Sequence, residues 1–254
     1  ECASKPCMTP SSAQEAGNKH ANGDPQTILI KKGLLAVGAF FVVMFFMGGF
    51  TSHDNGSDAN LIVNGVRQRV TKPPHGTQMG QSQIDNILKA LGPDGNLLVW
   101  GLGNDSPFWH DCTKGRVVFF EDDIPQEKYG VLWYDVITKK YPFLEAYKLH
   151  YSTQTKDSFN TYIDASTDVL KADLDLSNQL PEDVQSVKWD VIIVDAPQGS
   201  WNTGPGRYQS IYTSYSLAQK HGSKYIFIDD YERKVERKFS LKVFGKEPVQ
   251  VLSR

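Results

Sequence analysis

Asn96-Leu97-Leu98-Val99-Trp100-Gly101-Leu102-Gly103-Asn104-Asp105-Ser106 is the stretch from which the rest of the chain is read. Leu97 to Trp100 is a four-residue apolar run with strand character, too short for a helix of its own. It breaks into Gly101 and Gly103, where missing β-carbons let the backbone pass close to a ligand. Asp105 and Ser106 then offer side-chain oxygens to the first amides of a following helix. Strand, glycine turn and helix start in that order place a nucleotide-type pocket at the carboxyl end of a first parallel strand. Gly-x-Gly also serves ordinary tight turns, so this reading needs support from its surroundings.

That support comes from the strands that follow. Arg116-Val117-Val118-Phe119-Phe120 ends in Glu121-Asp122-Asp123, and Ala146 to Tyr151 forms a third apolar stretch. Trp189-Asp190-Val191-Ile192-Ile193-Val194-Asp195 is continuously apolar in its middle, as in a sheet covered on both faces. Residues 206 to 221 are helical in character, Lys224 to Ile228 is a fifth strand ending in Asp229-Asp230, and Val249 and Val251 suit a last short strand. Before the glycine strand, Ile84, Ile87, Leu88 and Leu91 fall at helical spacing, with Ser82 as cap and Gly92 as stop. Strands alternating with helices predict an α/β, Rossmann-like three-layer domain over 81–254 with a mostly parallel sheet.

Four strand ends carry polar, mostly acidic groups: Asn104-Asp105-Ser106, Glu121-Asp122-Asp123, Asp195 and Asp229-Asp230. In an open parallel sheet these ends share one edge and converge on one crevice. Glu121 lies 18 residues after Gly103, close to the spacing of a carboxylate that grips ribose hydroxyls. The third glycine of the dinucleotide fingerprint is replaced by Ser106, which disfavours a nicotinamide oxidoreductase. A nucleoside without phosphates fits better, and S-adenosylmethionine is such a cofactor, with Gly101, Gly103, Asp105, Ser106 and Glu121 as its expected contacts.

Composition narrows the class. The chain has 254 residues and a formal net charge of -2, so no bulk basicity points to nucleic acid as the partner. Three cysteines, Cys2, Cys7 and Cys112, form neither a disulfide framework nor zinc-ligand spacing. Residues 1–32 are polar and read as a disordered tail. Gly33 to Phe50 is a run of 18 residues without a charge, expected to be one transmembrane helix. Lys31 and Lys32 precede it and no Lys or Arg follows until Arg67. Positive-inside bias then predicts a single-pass type II protein with its tail in the cytosol. Residues 51–80 read as a lumenal stem.

Several segments carry a resemblance: Leu97 to Trp109, Phe119 to Asp123, Tyr151-Ser152-Thr153-Gln154, Trp189 to Gly199, Pro205-Gly206-Arg207, and Asp229-Asp230-Tyr231-Glu232-Arg233-Lys234-Val235-Glu236. In this order they resemble the plant polysaccharide-biosynthesis family that contains the glucuronoxylan 4-O-methyltransferases and arabinogalactan methyltransferases. The resemblance implies a Golgi membrane enzyme that uses S-adenosylmethionine to methylate O-4 of glucuronic acid side groups on a xylan-type polysaccharide. Some members of the wider family affect xylan without a settled enzymatic role, so a non-catalytic Golgi protein of the same fold is the alternative. The chain departs from the family pattern at Asn104 and at Asp229, where the family carries histidine. Its stretch after Phe239 is also short, with no evident closing aromatic strand.

The residues themselves suggest roles. A sugar hydroxyl needs in-line positioning and a base or metal to become a nucleophile. Asp195 and Asp230 suit the base, or with Asp229 they hold a divalent ion; capping and contact with the cofactor's amino group are the bland alternatives. Arg207 suits a bidentate contact to the uronic acid carboxylate, or else a surface ion pair. Trp201 suits stacking on a sugar face, or else packing under its loop. Trp109 reads as core.

Overall fold

The computed structural model describes residues 41–47, 77–126, 130–199 and 203–253. In chain order the strands are β1 (Phe41–Phe46), β2 (Leu97–Trp100), β3 (Val117–Asp122), β4 (Pro125–Gln126), β5 (Val131–Leu132), β6 (Ala146–Leu149), β7 (Val191–Val194), β8 (Tyr225–Ile228) and β9 (Gln250–Ser253). The α-helices are α1 (Gln81–Leu91), α2 (Ser106–Asp111), α3 (Trp133–Lys140), α4 (Thr155–Ile163), α5 (Thr167–Leu174), α6 (Glu182–Gln185), α7 (Tyr208–His221) and α8 (Lys234–Phe244). β4 and β5 form a small antiparallel pair of their own.

The other seven strands make one sheet in the order β6-β3-β2-β7-β8-β1-β9. β6, β3, β2, β7 and β8 run parallel, while β1 is antiparallel to both of its neighbours. Side chains alternate between two apolar layers, as a strand period of two requires. Leu97, Val99, Val117, Phe119, Val191, Ile193 and Phe227 face one layer, where Ile84, Ile87 and Leu91 of α1 and Phe108 and Trp109 of α2 pack. Leu98, Trp100, Val118, Phe120, Ile192, Val194, Ile226 and Ile228 face the other, against Leu170 and Leu174 of α5, Ile211 and Leu217 of α7, and Phe239 and Phe244 of α8. Both faces are covered, which is why the strands read as unbroken apolar runs. The expected three-layer α/β domain is the one found, and Trp109 is core, at 3% exposure.

The main correction concerns the apolar run 33–50. Phe41–Phe46 is an interior strand of the sheet, held by β8 on one side and β9 on the other. Phe45 is fully buried, stacks on Phe244 with ring centroids 4.1 Å apart, and meets the edge of Tyr231. A run dense in Val and Phe satisfies a covered strand as well as a membrane helix. Pairing on both sides removes the open edge that β8 would otherwise present. Among the described residues no helix is long and apolar enough to cross a membrane. The rest of the expected span, the tail 1–32 and most of the stem 51–80 lie outside the described residues. The domain also starts earlier than expected, since Met79 is already buried in the core.

The helix and strand ends shift in smaller ways. α1 is capped at Gly80, not Ser82: the Gly80 N–H donates to the Gln83 side chain at 2.7 Å, and Gly92 ends the helix with its N–H on the Leu88 carbonyl. β3 runs two residues past Phe120, so Glu121 lies within the strand rather than in the turn after it.

Candidate active site

The chain builds outward from β2 to β3 and β6, then returns to the other side of β2 to lay down β7 and β8. Between β2 and β7 the connections leave in opposite directions, which opens the crevice where open α/β sheets bind ligands. The residues 101–105 after β2 form one wall and Asp195-Ala196-Pro197 after β7 the other. Gly101 has φ +128, a conformation that side chains resist, and a β-carbon there would sit 3.6 Å from the β-carbons of Asp195 and Ala196. The Asp195 and Ala196 amides both donate to the Trp100 carbonyl at 2.9 Å, which pins the two walls together at their base.

On the glycine side the turn is braced from three directions. The Ser106 hydroxyl accepts the Gly103 N–H at 2.8 Å, so it closes the glycine turn instead of capping α2. Asp105 likewise makes no cap bond. Its carboxylate accepts from the Trp109 indole at 3.4 Å, and a β-carbon on Gly103 would lie 2.8 Å from its Oδ1. The Glu121 carboxylate accepts the Leu102 N–H at 2.7 Å, and the Trp133 indole of α3 donates to the Leu102 carbonyl at 2.7 Å. Trp133 went unread in the sequence, because nothing local connects α3 to the turn.

Glu121 is 8% exposed, and its pKa is pushed up to about 8 by burial and by the neighbouring Asp122 charge, against the Leu102 and Asp122 amides. Burial raises Asp105 as well. No arginine or lysine pairs with either carboxyl among the described residues. A buried carboxyl can hydrogen-bond the hydroxyl groups of a ligand, and a turn without a paired cation offers a pyrophosphate no counter-charge. The residues present therefore fit S-adenosylmethionine. Glu121 would take the ribose, and the 101–106 turn and Asp105 would flank the methionine part.

The acidic side is built differently. Asp195, Asp229 and Asp230 bring one carboxylate oxygen each within 4.8 Å of one another. Burial in the crevice, followed by the Asp229 carboxyl, raises Asp195 well above the usual carboxylate range, while Arg207 pulls it down. Asp195 keeps 42% of its side-chain surface open, which tempers the first cause. Asp229 and Asp230 are buried, at 2% and 4% exposure. Asp230 adopts φ 57, a left-handed conformation that Asp tolerates better than most residues.

Arg207 corrects an expectation. It is 3% exposed, and its Nη1 donates to the Asp229 carbonyl at 2.6 Å. Its Nη2 donates to the Asp195 carbonyl at 2.5 Å, to Asp195 Oδ1 at 3.1 Å and to Asp230 Oδ2 at 2.8 Å. With both terminal nitrogens committed inside the protein, Arg207 is a strut between the tips of β7 and β8, not a clamp for a substrate carboxylate. Asp230 Oδ2 also holds Arg233 at 2.8 Å. Asp230 thus anchors two guanidiniums, which leaves Asp195 as the carboxyl of the pair open to the crevice. The donor set suits a hard cation, yet an ion on all three carboxyls would have to share Asp230 with both arginines.

Glu236, in the first turn of α8, also went unread. It is fully buried, neither carboxyl oxygen accepts a hydrogen bond among the described residues, and Arg233 Nη1 lies 3.8 Å away. A β-carbon on Gly199 would come within 2.6 Å of its Oε1, so the glycine is what lets the 196–199 segment lie over this carboxyl. The spacing Asp230, Arg233, Glu236 was the available signal. Gly101, Gly103, Asp105, Ser106, Glu121, Asp195, Arg207, Asp229 and Asp230 all gather at one sheet edge; Trp201 lies outside the described residues.

The residues that build this edge lie within a stretch that matches a known family. Residues 81–249 match the family model described as IRX15/IRX15L/GXM. The chain is 37% identical over 195 residues to glucuronoxylan 4-O-methyltransferase 2 of Arabidopsis thaliana, covering 72% of this chain and 64% of that protein. It is 32% identical to arabinogalactan O-methyltransferase 1 of the same plant, over 61% of this chain and 56% of the relative. It is also 32% identical to the protein IRREGULAR XYLEM 15, over 61% and 51%. The matches thus span roughly half to two thirds of these relatives. No solved structure matches. Since the family model covers well over half of the chain, the chain belongs to the IRX15/IRX15L/GXM family.

Proposed function

We propose that this chain is an S-adenosylmethionine-dependent O-methyltransferase acting on O-4 of glucuronic acid side groups of a xylan-type polysaccharide. The observation that carries the reading is the open carboxyl of Asp195 at the switch point, opposite a glycine turn whose own carboxyls pair with no arginine or lysine among the described residues. The names of the relatives supply the reaction and the acceptor class. The cofactor supplies the methyl group when bound; the chain's own residues do the rest. Glu121 and the 101–106 turn hold and orient the donor. Asp195, in its ionised form, accepts the proton that leaves the sugar hydroxyl as its oxygen takes the methyl group. Arg207 fixes Asp195 by backbone and side chain together.

The test is radiolabelled methyl transfer to defined uronic-acid oligosaccharides, with and without chelator. Transfer by the wild type is expected, with a loss of about 100-fold or more in Asp195→Asn. Absence of S-adenosylmethionine binding at millimolar concentration overturns the reading, and loss of activity on chelation restores the metal route through Asp195, Asp229 and Asp230. A non-catalytic protein of the same fold is the second reading, favoured by the likeness to a relative whose name states no reaction. It predicts that Asp195→Asn complements a null plant as well as the wild type does. We further propose a Golgi lumenal location, supported by the family resemblance, with any membrane segment lying outside Phe41–Phe46. Digestion of the domain by protease in intact vesicles would refute that.

A further inference from the structure

With Arg207 spent as a strut, the acceptor's carboxylate needs another partner at the same edge. We infer that Arg233 receives it, and so selects a uronic acid over a neutral sugar; this rests on the uronic-acid reading above. The carboxyls of Asp195, Asp230 and Glu236 lie close together behind this edge, only Asp195 being open, and they disfavour an anionic polymer there unless a cation with spare donors stands among them. Arg233 has those properties. Its side chain is 27% exposed, against 4% for Arg207. Its backbone N–H donates to the Asp230 carbonyl at 2.9 Å, which fixes the arginine one tight turn beyond the strand tip.

The guanidinium is aligned by one nitrogen alone. Nη1 lies 2.8 Å from Asp230 Oδ2 and 3.8 Å from Glu236 Oε1, and a β-carbon on Gly199 would be 3.7 Å from it. Among the described residues no carboxylate or carbonyl engages Nε or Nη2. Those two nitrogens form the side edge of the planar fork, the geometry that binds a carboxylate through two parallel hydrogen bonds. The neighbouring cation, Lys234, is turned away to the Phe159 ring, with Nζ 4.2 Å from its centroid. Glu236 then acts as a positioning residue: its carboxyl, 3.8 Å from Nη1, helps Asp230 hold that nitrogen and leaves Nε and Nη2 to the ligand.

The experiment is calorimetry of the full chain with a glucuronic-acid-substituted xylooligosaccharide and with its carboxyl-reduced counterpart, for the wild type, Arg233→Gln, Arg233→Lys and Lys234→Gln. The wild type is expected to prefer the uronic acid by about 10- to 100-fold. Arg233→Gln should lose that preference while binding the reduced sugar and S-adenosylmethionine as before. Arg233→Lys should regain only part of it, because a point charge replaces the fork, and Lys234→Gln should keep it. No preference in the wild type overturns the inference, as does preference that survives in Arg233→Gln or vanishes in Lys234→Gln. Failure of the wild type to bind S-adenosylmethionine would count against the methyltransferase reading instead, because the oligosaccharide arms do not depend on the donor.

Discussion

The two walls of the crevice differ in whether a cation is built into them. On the glycine side, Glu121 and Asp105 are buried beside backbone amides and an indole, and stay reluctant to ionise. On the acidic side, Asp195 and Asp230 share Arg207, and Asp230 also holds Arg233. The first wall is unfinished without a ligand; the second is rigid before any ligand arrives. A transferase benefits from this division, since a donor that must come and go meets adjustable groups, whereas the proton acceptor must not drift.

The sharpest way to break the contrast is Arg207→Met. It leaves buried carboxyls facing each other without their shared cation, and removing one partner of such a network costs about 3–5 kcal/mol. Urea denaturation should show this loss, with cofactor binding falling because β7 and β8 lose their tie. A small effect would mean that Arg233 alone holds the acidic wall.

Glu121→Gln should move stability the other way. The folded Glu121 keeps its proton up to about pH 8, whereas the unfolded chain releases it near its ordinary value of 4.5. Between those values the native state binds more protons, so wild-type stability falls as pH rises through this window. Glutamine cannot ionise, so the variant should be more stable than the wild type by about 4 kcal/mol at pH 8. The gap should close toward pH 4.5, and S-adenosylmethionine binding should drop at every pH. Denaturation midpoints at both pH values check it; a variant less stable at pH 8 would show that Glu121 is ionised in the fold.

Trp133→Phe removes the indole bond to the Leu102 carbonyl together with part of the ring's packing. It should cost about 1 kcal/mol, seen in thermal melts, and weaken donor binding more than acceptor binding. Lys140→Ala deletes an exposed contact to Asn104 and should change stability by less than about 0.5 kcal/mol. A larger effect would mean the glycine wall depends on its rim.

Much of this was legible because the relevant signals are local. Unbroken apolar runs in Leu97–Trp100 and Val191–Val194 marked buried parallel strands, and the acids after each strand had to share an edge once the sheet was parallel. The members of the site that escaped notice, Trp133 and Glu236, act across long sequence separations or under a distant glycine. Arg207 was noticed for the right charge and given the wrong partner, because burial is not written in a residue's neighbours.

By itself, the amino-acid sequence determined the α/β class, the order of the parallel strands' segments, and which carboxyls gather at the crevice, since these follow from periodicity and strand polarity. Only the tertiary structure decided that Arg207 faces inward, that Asp195 stays open while Asp230 is locked, and that Phe41–Phe46 is a strand. An apolar run and a guanidinium each have two good environments, and which one they occupy depends on the groups that the rest of the fold leaves unsatisfied.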